Sequence, residues 1–376
     1  MPLPLNRTER FEAFAVEDTS VQLIWRARGP ATITLAGRTR TVDEHLVVDH
    51  HLVGSAVIDG LAPSTDYHAE IRTERATGTV AFRTLASPPG RLLSRVATIS
   101  DLHIGQRSFG LVKRRRERPE PEELHPVRCA QAAIDELVDW GAELLVVKGD
   151  LTHHQRHDDW LEVGKLLDRI PIPNIAIVGN HDVMAPRQSI PTNEGLALIG
   201  RTRIGVEVID LEGVRLITAD ASVDGKSKGD LTLVRNDIIA AAAETTQPVL
   251  LAMHFHIHRF SGTYFWPPGL NREHGQSFLS ELEAANPRVL LTSGHTHRHR
   301  LHRYRSTVMT EVGSTKDFPG VWAGYAVHEG GIRQIVRRTE RPDVIGWTEP
   351  TRRAVGGVWG LWSVGTLDQR CFTHSW

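Results

Sequence analysis

The sequence predicts an α/β protein preceded by a small all-β unit, and three observations carry that expectation. Residues 1–87 contain runs in which apolar and other side chains alternate with a period of two, the pattern of half-buried antiparallel strands. From Leu93 onward, short apolar runs alternate with segments whose apolar residues recur every three to four positions, as in strand–helix–strand units. Five of those short runs stop at, or beside, an aspartate, an asparagine or a histidine.

In the N-terminal part, Val21, Leu23 and Trp25 share one side of a strand, as do Tyr67, Ala69 and Ile71, and then Val80 and Phe82. The stretch Gly60-Leu61-Ala62-Pro63-Ser64-Thr65-Asp66-Tyr67 resembles the corner of a fibronectin type III domain. That resemblance makes Trp25 the expected core tryptophan and Tyr67 the expected tyrosine corner. A fibronectin type III-like β-sandwich is therefore expected over 1–87. Pro88, Pro89 and Gly90 then mark a stiff linker over 88–92.

The α/β unit is expected over 93–339. Val127, Ala130, Ile134 and Leu137 form a helical stripe opened by Pro126 and closed by Gly141. Trp160, Val163, Leu167 and Ile170 form a second stripe, stopped by Pro171. Residues 231–245 and 273–285 read as two more helices, and 308–312, 322–327 and 332–336 as further strands. Residues 340–376 hold Trp347, Trp359, Trp362 and Trp376 without a periodicity that assigns an element. They are expected to pack as a cover on the α/β unit.

The five apolar runs matter most. Val96 to Ser100 leads into Asp101-Leu102-His103, and Leu144 to Lys148 into Gly149-Asp150. Ile175 to Val178 leads into Gly179-Asn180-His181-Asp182, Val249 to Met253 into His254, and Val289 to Ser293 into Gly294-His295-Thr296-His297. Strands buried on both faces read as continuous apolar runs of this length. Ligands of open α/β sheets gather beyond the carboxyl ends of the strands. The five runs are thus expected to deliver metal-binding side chains to one edge of one sheet.

The order Asp-x-His, Gly-Asp, Gly-Asn-His-Asp, His, Gly-His-x-His resembles the calcineurin-like metallophosphoesterase superfamily over residues 95–338. The resemblance implies a four-layer αββα sandwich, two facing sheets flanked by helices. It implies two divalent metal ions, one held by Asp101, His103, Asp150 and His297, the other by Asp150, Asn180, His254 and His295. Asp150 is the implied bridge, because a carboxylate has two oxygens able to face different cations. Neutral imidazole and carboxylate suit Mn, Fe or Zn. Two divalent ions against two carboxylates leave about two net positive charges, which attract a phosphate oxyanion. The implied reaction is in-line attack on phosphorus by a hydroxide formed between the metals, with His181 protonating the leaving oxygen. His153 stands where metal-dependent nucleases of the superfamily pair a histidine with the catalytic one. Asp182 is expected to hold the loop around His181, and His256 and His258, which follow His254 on alternate residues and so would point the same way in a strand, to back the ligands or line the cleft. Purple acid phosphatases also join a fibronectin-like domain to this fold. They carry a metal-binding tyrosine at the position of His153 and Asp-x-Gly at 101–103, so no tyrosinate–iron chromophore is expected here.

Residues 99–103, 149–152 and 179–182 look most like class III cyclic-nucleotide phosphodiesterases. Those enzymes often carry His-Pro-Pro after the fourth motif, where this chain has Phe255-His256-Ile257. The departure weighs against cyclic AMP. The expected activity is phosphoester hydrolysis with diesters ahead of monoesters, on a small phosphodiester or nucleotide. A nuclease is the first alternative, favoured by His153, by Lys113-Arg114-Arg115-Arg116 and by Arg298, Arg300, Arg303 and Arg305. The second is a non-catalytic adaptor whose N-terminal β unit binds a protein partner; no residue identifies that partner, and retention of every motif weighs against this alternative.

Composition narrows the rest. Of 376 residues, 40% are hydrophobic and 24% charged, with a net charge of -1. That balance gives no overall attraction to nucleic acid or an anionic membrane. Two cysteines, Cys129 and Cys371, make no disulfide framework and leave any metal to His, Asp and Asn. The first ten residues lack an apolar leader, and no run is long enough to span a bilayer. The expected location is cytoplasmic.

Overall fold

The computed structural model describes residues 10–27, 30–42, 46–48, 51–74, 76–110, 115–184, 189–258 and 267–376. Lys113 and Arg114 of the basic stretch, and residues 1–9, lie outside the described residues.

Two antiparallel four-stranded sheets form the N-terminal part. One has the order Arg10–Val16, Ser20–Ala27, His51–Asp59, Leu46–Val48; the other Arg38–Val42, Ala31–Leu35, Asp66–Arg72, Thr77–Arg83. The period-two residues meet between them: Val21, Leu23, Trp25, Ala69, Ile71, Val80 and Phe82 share one core. Each buried Val, Leu, Ile or Phe contributes roughly 1.5–3 kcal/mol, so this alternation largely decides which face of each strand turns inward. Tyr67 Oη accepts a hydrogen bond from the Ala62 N–H at 2.8 Å, closing the tyrosine corner. The sandwich is fastened to the rest of the chain by polar contacts. Glu17 pairs with Arg333 at 3.0 Å, and Gln22 both donates to the Arg338 carbonyl at 2.6 Å and accepts from its N–H at 2.9 Å.

The remaining chain forms four layers. The first six-stranded sheet runs Asn174–Ile177, Leu144–Lys148, Leu92–Ile99, Val321–His328, Gly331–Arg338, Phe372–Ser375. The second runs Val206–Leu211, Val214–Ala219, Val249–Met253, Val289–Ser293, Thr307–Glu311, Arg300–Tyr304. Strand alternation divides the apolar runs between two cores. Leu145 and Val147 turn outward to Ile134, Leu137, Trp160 and Val163 of the helices His125–Asp139 and His157–Asp168. Leu144 and Val146 turn inward to meet Leu216, Leu250 and Leu290 of the other sheet. On the far side, Leu251 and Leu291 pack on Ile238, Phe278 and Leu282 of the helices Arg235–Ala243 and Arg272–Ala285. Continuous apolar runs thus arise because these strands are covered on both faces.

Lys148 is the exception in its run. Its Nζ crosses to the second sheet, donating to Thr292 Oγ1 at 2.8 Å and the Ser293 carbonyl at 3.0 Å. Burial pushes its pKa down to about 7, with Asp101 opposing only in part.

Three expectations need correction. The five ligand-bearing strands belong to two sheets, three to the first and two to the second, so the motifs converge from both. An apolar run does not disclose its sheet; the chain changes sheets through the hairpin Val206–Leu211 and Val214–Ala219, which the pattern did not reveal. The helix expected over 231–245 is a 3₁₀ turn, Leu231–Leu233, followed by a helix only from Arg235, because the Asp230 carboxylate accepts the Thr232 N–H and sets a separate start. The strand Val249–Met253 ends before His254, so strand alternation does not align His256 and His258 with it. The segment left unassigned after Arg338 forms helices Pro342–Thr351, Val358–Val364 and Leu367–Arg370 and the strand Phe372–Ser375.

Candidate metal centre

Side chains inside a strand point to the sheet faces, not beyond its end. The chain redirects them by adopting left-handed backbone immediately after the strands: Asp101, His103, Asp150, His295 and His297 have φ between 50° and 66°. Each such residue costs roughly 1–3 kcal/mol and persists only where its surroundings fix it. Here they do. The Asp101 N–H donates to the Gly149 carbonyl at 3.1 Å, and the His103 N–H to the Asp150 carbonyl at 2.7 Å. The His295 N–H donates to the Asp101 carboxylate at 3.0 Å. Two motif glycines follow from the same crowding. A Cβ on Gly179 would lie 2.3 Å from Asp150 Oδ1, and one on Gly294 1.8 Å from Ser100 Oγ.

Three groups of potential ligand atoms result among the described residues: one is His103, His153 and His181, and the other two contain a carboxylate. Asp101, His103 and His297 offer atoms within 4.8 Å of one another, and so do Asp150, His254 and His295. In the first, His297 Nε2 lies 3.3 Å from Asp101 Oδ1 and 3.3 Å from His103 Nε2. In the second, His254 Nε2 lies 3.1 Å from Asn180 Oδ1. Asp150 divides between them: Oδ2 is 3.5 Å from His103 Nε2, and Oδ1 is 3.4 Å from His254 Nε2. Ligand atoms ~2.1 Å from a shared ion, at octahedral to tetrahedral angles, stand ~3.0–3.4 Å apart. These separations therefore fit a pair of ions bridged by Asp150.

The protons fit as well. A metal-binding histidine donates its other ring N–H to a carbonyl or carboxylate, which fixes the tautomer. His254 donates Nδ1–H to the Lys148 carbonyl at 2.7 Å, and His295 donates Nε2–H to the Pro268 carbonyl at 2.8 Å. His297 donates Nδ1–H to Asp317 Oδ2 at 2.6 Å. His103 Nδ1 faces His153 Nδ1 at 3.3 Å. His103, His254 and His295 thus each have one ring nitrogen engaged elsewhere and one free to face an ion, while His297, with Nδ1 on Asp317, also holds a proton on Nε2 that an ion would displace. Burial holds His103 and His295 well below the ordinary histidine pKa, so they stay neutral. Burial opposes ionisation of Asp101, but His297, His254 and the Ser100 hydroxyl outweigh it and keep the carboxylate charged. His297 is also depressed by burial, yet Asp317 and Asp101 raise it to about 10.

His181 lies in the 3₁₀ turn Asn180–Asp182 and its N–H donates to Asp150 Oδ1 at 2.8 Å. Its ring meets His103 edge-on at 4.4 Å between centroids. His153 and His181 come together, but through the main chain: His181 Nδ1–H donates to the His153 carbonyl at 3.2 Å, while the rings stack at 5.2 Å. Burial pushes His153 down to about 2, so its ring is neutral near neutral pH.

Asp182 is fully buried and accepts four hydrogen bonds. The donors are the N–H groups of Leu151 at 2.9 Å, Thr152 at 2.7 Å and Gly179 at 2.9 Å, and the Thr152 hydroxyl at 2.9 Å. It ties the loop after Asp150 to the loop that carries His181. Burial, with Asp150 adding to it, raises its pKa to about 6 despite those donors. Asp182→Ala is expected to cost roughly 4 kcal/mol, about 1 per buried donor left unpaired, read from urea unfolding. A loss below ~1 kcal/mol would contradict this role.

Other candidates fall outside the clusters. His256 is buried and stacks behind His295 at 5.9 Å, and His258 Nε2 accepts the Gly269 N–H at 2.8 Å. The expected basic rim is largely occupied. Arg116 pairs with Glu120 at 2.6 Å, Arg298 with Glu311 at 2.6 Å and Arg305 with Glu283 at 3.4 Å. Arg115 donates to the Gly346 carbonyl at 3.1 Å. Two residues near the ligands were not anticipated. Asp317 orients His297, and Lys316 Nζ lies 3.2 Å from the same Asp317 oxygen. Neither belongs to a spaced motif, so only the folded loop reveals them.

The family model for calcineurin-like phosphoesterases matches residues 94–299. No curated protein matches the chain. Among solved structures, the purple acid phosphatase PPD1 from yellow lupin (Lupinus luteus) seeds is similar at 13% identity and a TM-score of 0.46, covering 88% of this chain and 72% of that one. PhoD is similar at 11% identity and a TM-score of 0.44, covering 88% and 87%. GAP50, the anchor in the inner membrane complex of Plasmodium, is similar at 10% identity and a TM-score of 0.45, covering 68% and 87%.

Proposed function

This chain belongs to the calcineurin-like phosphoesterase family, and from that premise we propose that it hydrolyses small phosphodiesters with two divalent ions held by Asp101, His103, Asp150, Asn180, His254, His295 and His297. The observation that carries the reading is the division of the two Asp150 oxygens between separate ligand clusters. When bound, the ions supply Lewis acidity and a water of lowered pKa. The protein's own groups do the rest. Asp150 holds the two clusters in register and fixes the His181 backbone through its N–H. His181 keeps its Nδ1 proton on the His153 carbonyl, so as the imidazolium it would contact the phosphoryl group through Nε2–H, pass that proton to the leaving oxygen and return to the neutral ring. His153 thus serves by orienting His181 and His103 rather than by moving a proton.

The preference for small diesters rests on charge. A monoester dianion brings one more negative charge than a diester, and a polynucleotide brings many. Of the basic residues read from the sequence, Arg298, Arg305 and Arg116 are already paired with glutamates. The two buried thiols, Cys129 and Cys371, agree with a cytoplasmic location. No helix among the described residues is long and apolar enough to cross a membrane. The test is a side-by-side assay with Mn of bis-p-nitrophenyl phosphate, p-nitrophenyl phosphate, cyclic AMP and single-stranded DNA. The expected result is the highest kcat/KM on the first. Faster turnover of the monoester would overturn the diester preference, cleavage of DNA alone would make the protein a nuclease, and no turnover with metal bound would favour an adaptor.

A further inference from the structure

The segment after Arg338 carries three tryptophans whose indole N–H groups all reach the loops that bear metal ligands or their partners. Trp347, in the helix Pro342–Thr351, donates to the Lys316 carbonyl at 2.8 Å. Trp359 and Trp362, in the helix Val358–Val364, donate to Asp317 Oδ1 at 3.1 Å and to the Thr296 carbonyl at 3.1 Å. Thr296 stands between the ligands His295 and His297. Residues three apart share a helix face, so one face of that helix addresses both loops. The segment lies beyond residues 94–299, the span of the family match.

A purely apolar cover needs the rings and not their N–H groups. Here the polar tips of Trp359 and Trp362 reach Asp317 and Thr296, the two residues that adjoin His297. Asp317 uses Oδ2 for His297 Nδ1 at 2.6 Å and Oδ1 for Trp359, so the indole fixes the carboxylate that fixes the imidazole. The Trp359 ring also meets the His297 ring edge-on at 5.8 Å.

We propose that residues 342–364 form a clamp that completes the first metal position, with Trp359 a positioning residue acting through Asp317 on His297. The proposal rests on the dinuclear reading above. It predicts that the clamp governs retention of one ion of the two. Such outer partners typically change metal affinity ~10–100-fold.

The test uses full-length, metal-free protein titrated with Mn, followed by calorimetry and by electron paramagnetic resonance. Trp359→Phe keeps an aromatic ring but removes the N–H together with the pyrrole half of the indole, so Asp317→Asn, which leaves the indole whole, is measured beside it. Trp376→Phe, whose ring rests on His374 instead, is the control. The wild type and the control are expected to bind two ions and show an exchange-coupled signal. Trp359→Phe and Asp317→Asn are expected to bind one ion normally and the other ~10–100-fold more weakly. At one to two equivalents they should give the six-line spectrum of isolated Mn. The Tm of the metal-free variants should stay within about 2–4 °C of wild type. Wild-type affinity for both ions in Trp359→Phe would overturn the clamp, as would metal loss that only accompanies a larger fall in metal-free Tm. A wild type that binds no pair would overturn the dinuclear reading itself, and the clamp with it.

Discussion

Asp150→Asn is expected to lower kcat/KM on bis-p-nitrophenyl phosphate by at least ~10³-fold, the several kcal/mol that a correctly held metal pair contributes. The geometry also says which ion suffers. The His181 N–H donates to Asp150 Oδ1 at 2.8 Å, so the substituted amide keeps its oxygen there. Its NH2 then replaces Oδ2, which lies 3.5 Å from His103 Nε2. An amide nitrogen has no lone pair to give a cation. The cluster of Asp101, His103 and His297 therefore loses a ligand, while that of Asn180, His254 and His295 keeps its own. Elemental analysis should find about one ion per chain instead of two. A variant that retains both ions, or activity within tenfold, would contradict the bridging role.

His181→Ala should act differently, lowering kcat by ~10²–10⁴-fold while both ions remain. Its side chain belongs to neither of the two proposed ion sites. Its ring nitrogen is held by the His153 carbonyl and its ring lies against His103. The loss should depend on the leaving group. An alkoxide needs a proton as it departs and p-nitrophenolate hardly does, so the defect should be greatest for an alkyl leaving group. Equal defects on both would deny His181 the acid role, and an unchanged rate would deny it any role.

The proposed ligands were legible in the sequence because they sit where strands end. A buried strand is an apolar run, and the first residue after it must leave the sheet. Left-handed φ at Asp101, Asp150 and His295 is the structural form of that break. The motif glycines were legible for the same reason: Gly179 and Gly294 stand where another ligand loop leaves no room for a Cβ. The sheet to which each strand belongs was not legible, since Val146 and Leu250 face each other across the sandwich and read alike as apolar residues.

The partners of the ligands escaped for another reason. The His254 proton goes to a main-chain carbonyl, and the pairing of His153 with His181 uses a carbonyl too, which no side-chain pattern records. Asp317 is a lone carboxylate in a loop. The helices after Arg338 are short and interrupted: Pro350 lies inside the first, and Gly356 and Gly357 have positive φ before the second. No apolar stripe develops over so few turns, so the tryptophans were visible but their direction was not.

In the proposed centre Asp150 joins two metal positions assembled from strand ends of both sheets. Crystals grown with Mn and measured at its absorption edge test it directly. Two anomalous peaks ~3.5–4 Å apart are expected, with the Asp150 carboxylate between them and His103 and His254 on opposite sides. A single peak, or peaks that do not touch Asp150, would contradict it.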